Sequence, residues 1–132
     1  MTDNALHVVA GVIFSPERDR VLIARRPRAS HQGGLWEFPG GKLARPESPF
    51  AALRRELREE LAIEVIRAQA FLEVHHRYPG QAVFLDIWRV DEFTGVARGN
   101  EGQQIAWVGL DELENYRFPA ANDAIIDRLL GR

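Results

Sequence analysis

The segment from Gly41 to Ile63, with the sequence GKLARPESPFAALRRELREELAI, constrains the fold of this chain more than any other part. Its apolar residues recur at the spacing of one helix face, at Phe50, Leu53, Leu57 and Leu61. Glu56 shares another helix face with Glu59 and Glu60, because residues three and four apart are neighbours on a helix. The segment therefore predicts a helix that packs one face against a core and carries clustered carboxylates on its flank.

Clustered carboxylates need a counter-charge, since a like-charged pair four residues apart destabilises a helix by about 0.2 to 0.5 kcal/mol. A hard divalent cation such as Mg²⁺ would supply it, because this ion takes carboxylate and carbonyl oxygens and keeps positions open for water and substrate phosphates. The alternative is a solvated helix with ordinary ion pairs, such as Arg55 with Glu59. The residues that flank the helix decide between these two interpretations.

Those residues favour the cation. Gly41, Glu47, Arg55-Glu56, Glu59-Glu60 and Ile63 have the spacing of the Nudix box, and in this pattern the chain resembles the Nudix hydrolase family. The resemblance implies a single Nudix domain over residues 1–132, with the box at 41–63. It also implies an α+β fold, the Nudix α/β/α sandwich, in which a mixed, curved β-sheet lies between helices.

One position departs from the family pattern, which has glycine where this chain has Ala62. A glycine at the end of a helix permits a left-handed backbone, and alanine in that conformation costs on the order of 1 kcal/mol. We therefore expect a strained helix end at Ala62 and an intact set of carboxylates.

The resemblance also implies the metal site. Mg²⁺, or Mn²⁺ in its place, would be held by the following groups: the carbonyl of Gly40 and the carboxylates of Glu56, Glu59, Glu60 and Glu101. Arg55 would orient a neighbouring carboxylate, because its guanidinium is planar and stays charged. The catalytic set is then Arg55, Glu56, Glu60 and Glu101. Glu56 is the leading candidate for the general base, and Glu101 is the alternative, although a loop glutamate is usually just solvent-exposed.

Residues outside the box resemble the MutT subfamily of Nudix hydrolases, which cut 8-oxo-dGTP to its monophosphate and pyrophosphate. The matching stretches are Arg25-Arg26, His31, Trp36 to Gly41 and Phe118 to Asn122. The resemblance implies that the nucleoside triphosphate is contacted by Arg26, His31, Glu37, Phe38 and Asn122. The alternative for Asn122 is an ordinary helix cap.

The carboxamide of Asn122 would select the oxidised base. It offers one donor and one acceptor side by side, whereas guanine presents two acceptors at O6 and N7. Oxidation at C8 places a hydrogen on N7, so an acceptor then stands next to a donor. The amide matches the damaged base and mismatches the normal one.

Two other functions stay open from the sequence. Gly80-Gln81 follow the turn proline where the subfamily can have an Asp-Arg pair that closes over the base. This difference leaves room for a pyrophosphatase that acts on CTP or dCTP-type nucleotides. The third hypothesis is a catalytically silent Nudix domain that binds a nucleotide or a protein, although such a domain has no need of the carboxylate cluster.

Composition limits the partners. The chain has 132 residues, 17 basic and 19 acidic side chains and no cysteine, which argues against a general nucleic-acid binder and excludes disulfides. The apolar run near the N-terminus is too short for a membrane span and lacks the basic start of a signal peptide. We therefore expect a cytoplasmic protein without a membrane or stable nucleic-acid partner, present as a monomer or weak homodimer.

Hydrophobic patterns and turn residues predict the remaining elements. Strands are expected at 7–14, 20–25, 35–38, 71–78, 82–90 and 105–108. A type II turn is expected at Tyr78-Pro79-Gly80-Gln81, because proline and glycine occupy its two central positions. A helical turn is expected at 111–115 and an amphipathic helix at 122–130.

Overall fold

The structure is a computed structural model that describes residues 5–27, 33–44 and 46–132. It contains seven strands: β1 Leu6–Ile13, β2 Arg20–Arg25, β3 Trp36–Glu37, β4 Gly40–Lys42, β5 Glu64–Tyr78, β6 Gln81–Thr94 and β7 Ile105–Gly109. It contains two α-helices, α1 Pro49–Leu61 and α2 Asp123–Leu129, and two short 3₁₀ helices, Leu110–Asn115 and Ala120–Asn122. None of the helices that the described residues form combines the length and apolar character of a membrane span.

The strands form two sheets. The larger sheet has the order β4-β1-β6-β5, and β1 runs parallel to β6 while the other neighbours are antiparallel. The smaller sheet is antiparallel, with the order β3-β2-β7. A bridge between Phe14 and Val21 joins the end of β1 to β2. The predicted mixed sheet is therefore confirmed.

The two faces of β1 separate two halves of the core. Val9 and Ile13 lie in a cluster with Leu53 and Leu57 of α1. Ala10 and Val12 of β1 lie in a second cluster that includes Ile125 of α2. Because successive side chains of a strand point to opposite faces, the sheet has α1 on one side and α2 on the other. This arrangement is the predicted α/β/α sandwich.

Helix α1 begins and ends as the sequence predicts. The Ser48 hydroxyl accepts a hydrogen bond from the backbone N–H of Ala51 at 3.2 Å, and Pro49 is the first helical residue. Ala62 has φ 59° and ψ 33°, which is the left-handed conformation, and its N–H donates to the Arg58 carbonyl. The strained end of helix α1 that is expected from alanine in place of glycine is confirmed.

Several boundaries differ from the predictions. β5 begins at Glu64 and not at residue 71, and β6 continues to Thr94 beyond residue 90. Register shifts interrupt the pairing of β5 with β6 between Val65 and Leu72, which disturbs the period-two pattern on which the prediction relied. The last helix starts one residue late because residues 120–122 form a 3₁₀ turn. In the predicted type II turn, Gly80 has φ 80°, as its third position requires.

Strand β4 was not predicted, because two glycines and a lysine have low β propensity. Gly40 pairs with Ala10 and Gly41 pairs with Val9. A Cβ atom on Gly40 would lie 1.9 Å from the Val9 carbonyl oxygen, so only glycine fits there. Close contact between two backbones, rather than strand propensity, determines this element.

Candidate active site

Arg55 connects helix α1 to the segment that precedes it. Its Nε donates to Glu47 Oε2 at 2.6 Å and its Nη2 donates to Glu47 Oε1 at 3.0 Å, which makes a two-point ion pair. Nη1 donates to Glu56 Oε1 at 2.9 Å and to Glu59 Oε1 at 3.3 Å. The hydrogen bond to Glu47 is the main reason that the pKa of Arg55 is raised, so the guanidinium stays charged. The same bond lowers the pKa of Glu47.

Glu56 lies directly against the backbone of β4. A Cβ atom on Gly41 would be 2.0 Å from Glu56 Oε2. Glycine at this position therefore makes room for the carboxylate, while Arg55 holds its other oxygen. The two glycines of β4 have separate roles. The missing side chain of Gly40 allows close contact with the β1 backbone, and that of Gly41 leaves room for the Glu56 carboxylate.

Glu60 carries a buried oxygen, Oε2, for which the described residues provide no hydrogen-bond partner. Burial, followed by the negative charges of Glu56, Glu37 and Glu101, raises the pKa of Glu60 to about 9. A buried carboxylate surrounded by other carboxylates is an arrangement that a divalent cation would stabilise, and the oxygen donors are of the kind such ions take. The donor set therefore fits a hard cation in its chemistry. Across residues 5–27, 33–44 and 46–132, however, no three acidic or histidine side chains already converge as ligands.

The loop that carries Glu101 is attached to the C-terminal end of α1. The N–H of Asn100 donates to the Glu60 carbonyl at 2.9 Å, and its side chain donates to the Glu59 carbonyl at 3.0 Å. Gln103 Nε2 also donates to the Glu60 carbonyl at 2.9 Å, and its Oε1 accepts the N–H of Glu101 at 2.9 Å. These bonds satisfy carbonyls that a helix end leaves free and hold Glu101 beside the carboxylates. No pattern in the sequence indicates these roles for Asn100 and Gln103.

Glu59 is the most exposed of the box glutamates, with a side-chain exposure of 54%. Its only described ion pair is the bond to Arg55 four residues before it. This is the ordinary surface pair that the alternative interpretation of the helix expected. The remaining box glutamates are less exposed, because Glu56 faces β4 and Glu60 faces the interior.

A cavity of about 550 Å³ is lined by the three residues of β4, and Glu56 of the acidic helix lies against the Gly41 backbone of that strand. Its floor consists of cross-strand pairs on one face of the sheet: Leu6 with Val83, Val8 with Leu85 and Ala10 with Ile87. Five residues predicted for the site line it: Arg26, Glu37, Phe38, Gly40 and Asn122. His31 lies outside the described residues. The cavity floor was not predicted, although the alternation of apolar residues along β1 and β6 indicates which side chains share a face of the sheet.

Asn122 is a buried polar residue, with only 8% of its surface exposed. Its Nδ2 donates to the Pro119 carbonyl at 3.4 Å, and no described residue forms a hydrogen bond with its Oδ1. Phe38 is 3% exposed and stacks on Phe118 with ring centroids 5.5 Å apart, so it belongs to the core as well as to the cavity wall. Only a small part of the Phe38 ring can reach a bound molecule.

Arg26 and Glu37 form an ion pair inside the cavity. Arg26 Nη1 lies 2.7 Å from Glu37 Oε1. Burial raises the pKa of Glu37, and the charge and hydrogen bond of Arg26 oppose that shift without cancelling it. The pair brings two predicted substrate-binding residues together at the same wall. The wall thus presents charged and amide groups above an apolar floor.

The acidic helix α1, the glycine strand β4 and the adjoining cavity agree with what comparisons with known proteins show. The chain belongs to the NUDIX domain family, whose model matches residues 9–128. Within that family it is a MutT-like Nudix hydrolase. Enzymes of this class act on nucleotide substrates and generally use divalent metal cations.

Individual relatives cover nearly the whole chain. The CTP pyrophosphohydrolase of Escherichia coli strain K12 is 36% identical over 126 residues, which are 95% of this chain and 91% of the relative. The 8-oxo-dGTP diphosphatase of the same strain is 34% identical over 124 residues, which are 94% of this chain and 95% of the relative. A solved structure described as MutT from Aliivibrio salmonicida and Vibrio cholerae superposes with a TM-score of 0.85 at 41% identity, covering 97% of this chain and 98% of its own.

Proposed function

We propose that this protein is a Mg²⁺-dependent nucleoside triphosphate pyrophosphohydrolase that converts 8-oxo-dGTP to 8-oxo-dGMP and pyrophosphate. Its role would be nucleotide-pool sanitation in the cytoplasm, which prevents mutations by removing a damaged DNA precursor. The observation that carries the proposal is the buried Asn122 carboxamide in the wall of the cavity beside the acidic helix. The similarity to 8-oxo-dGTP diphosphatases over most of the chain supports it.

The position of Asn122 suits recognition of a base. Its Oδ1 would accept the N7 hydrogen of the oxidised base, and its Nδ2 would donate to O6 in place of the long bond to Pro119. With normal guanine, Oδ1 would face another acceptor in a buried site. Leaving a buried polar group unpaired costs about 1 to 3 kcal/mol. Sites built on polar pairing discriminate more strongly than apolar pockets do.

The metal would be held by the carbonyl of Gly40, which lines the cavity, and by the carboxylates of Glu56, Glu59, Glu60 and Glu101 on α1 and the loop attached to its end. When bound, Mg²⁺ neutralises charge on the phosphates and lowers the pKa of a bound water. The unpartnered Glu60 oxygen supports this assignment. The side chains of Glu59 and Glu101 are exposed and could turn toward the ion, Glu59 by exchanging its 3.3 Å bond to Arg55 for the metal.

Within this site the protein's own groups have distinct roles. Arg55 positions Glu56 through the 2.9 Å hydrogen bond and stays charged while doing so. Glu56 or Glu101 would take the proton of the attacking water, because both are carboxylates next to the place where the phosphates would lie. Arg26, with its partner Glu37, would contact the nucleotide from the cavity wall.

A cytidine nucleotide is the second candidate substrate. The CTP pyrophosphohydrolase relative matches 95% of this chain. In addition, Gly80 and Gln81 line the cavity at the positions where the MutT subfamily can have an Asp-Arg pair, so these two positions do not supply charges that would close over an oxidised purine. This candidate keeps the metal chemistry and changes only the base.

Replacing Asn122 with alanine tests the preferred assignment. We expect Asn122→Ala to lower the ratio of kcat/KM for 8-oxo-dGTP to that for dGTP by about 5- to 150-fold, which corresponds to about 1 to 3 kcal/mol. Asn115→Ala is the matched control, because Asn115 is exposed and lies outside the described lining of the cavity. An unchanged ratio in Asn122→Ala would refute the role of Asn122. Full turnover in Glu56→Gln would refute the catalytic assignment.

A further inference from the structure

Tyr78 makes a contact with the segment that carries Asn122. It is the last residue of β5 and lines the cavity. Its hydroxyl oxygen accepts a hydrogen bond from the backbone N–H of Ala121 at 3.0 Å. Ala121 is buried and immediately precedes Asn122. A side chain of the β5–β6 hairpin is thus bonded to the backbone next to the proposed base-recognition residue.

The Asn122 segment has little local structure to hold it. It forms a 3₁₀ helix of three residues with two described backbone bonds: the Asn122 N–H donates to the Pro119 carbonyl, and the Asp123 N–H donates to the Ala120 carbonyl. Such short 3₁₀ turns have weak hydrogen-bond geometry. Before the turn, Phe118 is fixed by stacking on Phe38. At the turn itself, the backbone N–H of Ala121 donates a hydrogen bond to the Tyr78 hydroxyl, which belongs to a distant part of the chain.

We propose that Tyr78 is a positioning residue for nucleobase recognition, which acts by holding the Ala121–Asn122 backbone so that the Asn122 carboxamide faces the base. This inference rests on the proposed function. A hydrogen bond weakens steeply when its angle or distance is wrong, so a small displacement of Asn122 reduces the pairing that separates one base from another. The carboxylates of α1 are held by Arg55 and by the Glu101 loop, and neither of these depends on Tyr78.

The experiment compares Tyr78→Phe with the wild type. Phenylalanine keeps the ring and removes only the hydroxyl, which leaves the buried N–H of Ala121 without its acceptor. We expect KM for 8-oxo-dGTP to rise about fivefold, the usual effect of losing one such bond, while kcat stays within about twofold. The selectivity over dGTP should fall by a similar factor. Tyr116→Phe is the control, because Tyr116 is the other tyrosine of the chain and packs edge-on against Trp36.

A double-mutant cycle separates positioning from a general structural effect. If Tyr78 acts through Asn122, Tyr78→Phe should change neither selectivity nor KM further when Asn122 is already alanine. Additive effects of the two substitutions would overturn the inference. The affinities for 8-oxo-dGMP and dGMP, measured by calorimetry, provide a second test that needs no turnover. Tyr78→Phe should weaken binding of 8-oxo-dGMP in the wild-type background and should have no further effect when Asn122 is already alanine.

The outcomes also distinguish this inference from the proposed function. If the wild type does not prefer 8-oxo-dGTP, or if Asn122→Ala leaves its preference unchanged, the proposed function fails and the inference fails with it. If Asn122→Ala removes the preference and Tyr78→Phe leaves both KM and selectivity at wild-type values, only the role of Tyr78 is refuted. A fall in kcat alone, with KM unchanged, would also refute it.

Discussion

Replacing Ala62 with glycine should stabilise the protein. Ala62 ends α1 in the left-handed conformation, with φ 59° and ψ 33°. That conformation costs a residue with a Cβ atom about 1 to 2 kcal/mol. Glycine removes this strain but makes the unfolded chain more flexible, which offsets about 0.4 to 1 kcal/mol. From the middle of each range, the expected net gain in the free energy of unfolding is about 0.8 kcal/mol.

Urea unfolding and thermal melting measure this gain. For a chain of 132 residues, the expected gain raises Tm by about 2 to 4 °C. Ala51→Gly is the control, because Ala51 is an exposed residue in the first turn of α1, where glycine relieves no strain and adds only flexibility to the unfolded chain, so stability should fall. If Ala62→Gly lowered the free energy of unfolding as Ala51→Gly does, the reasoning from backbone strain would be refuted.

Three further changes test the active site. Arg55→Lys cannot keep the two-point bond to Glu47 while holding Glu56, so kcat should fall about 10- to 100-fold in steady-state assays; near-normal kcat would contradict this role. Gln103→Ala should lower kcat with KM nearly unchanged, whereas Gln104→Ala, next to it, should change neither. Burial and the neighbouring carboxylates raise the pKa of Glu60 from 4.5 to about 9, so between these pH values the folded state binds a proton that the unfolded state has lost. The free energy of unfolding of the metal-free protein should therefore decline as pH rises through that range. Urea unfolding in the presence of EDTA should show this decline in the wild type and not in Glu60→Gln. An identical pH dependence in the two proteins would refute the assignment of the decline to Glu60.

The box helix could be predicted almost completely because its signals are local. The cap at Ser48, the proline after it, the apolar stripe and the position of Ala62 all lie within one short segment. Each of them acts on the backbone of its neighbours, so the sequence alone determines where the helix begins and ends. The grouping of Arg55 with Glu56 and Glu59 follows from the same helical spacing.

The cavity floor could not be predicted in the same way. It depends on the parallel pairing of β1 with β6, in which Leu6 lies opposite Val83. Nothing local in either strand specifies that partner or its direction. The attachment of Asn100 and Gln103 to the end of α1 is likewise a tertiary contact, made across about forty residues of chain. The roles of Asn100 and Gln103 depend on these contacts and have no local signal in the sequence.

The most direct test of the central claim is the relative kcat/KM of the wild-type protein for 8-oxo-dGTP, dGTP and CTP in the presence of Mg²⁺, with identification of the products. The account predicts a strong preference for 8-oxo-dGTP, with 8-oxo-dGMP and pyrophosphate as products. A preference for CTP would keep the chemistry of the acidic helix and contradict the proposed recognition by Asn122. The absence of Mg²⁺-dependent turnover with all three nucleotides would contradict the proposed enzyme itself.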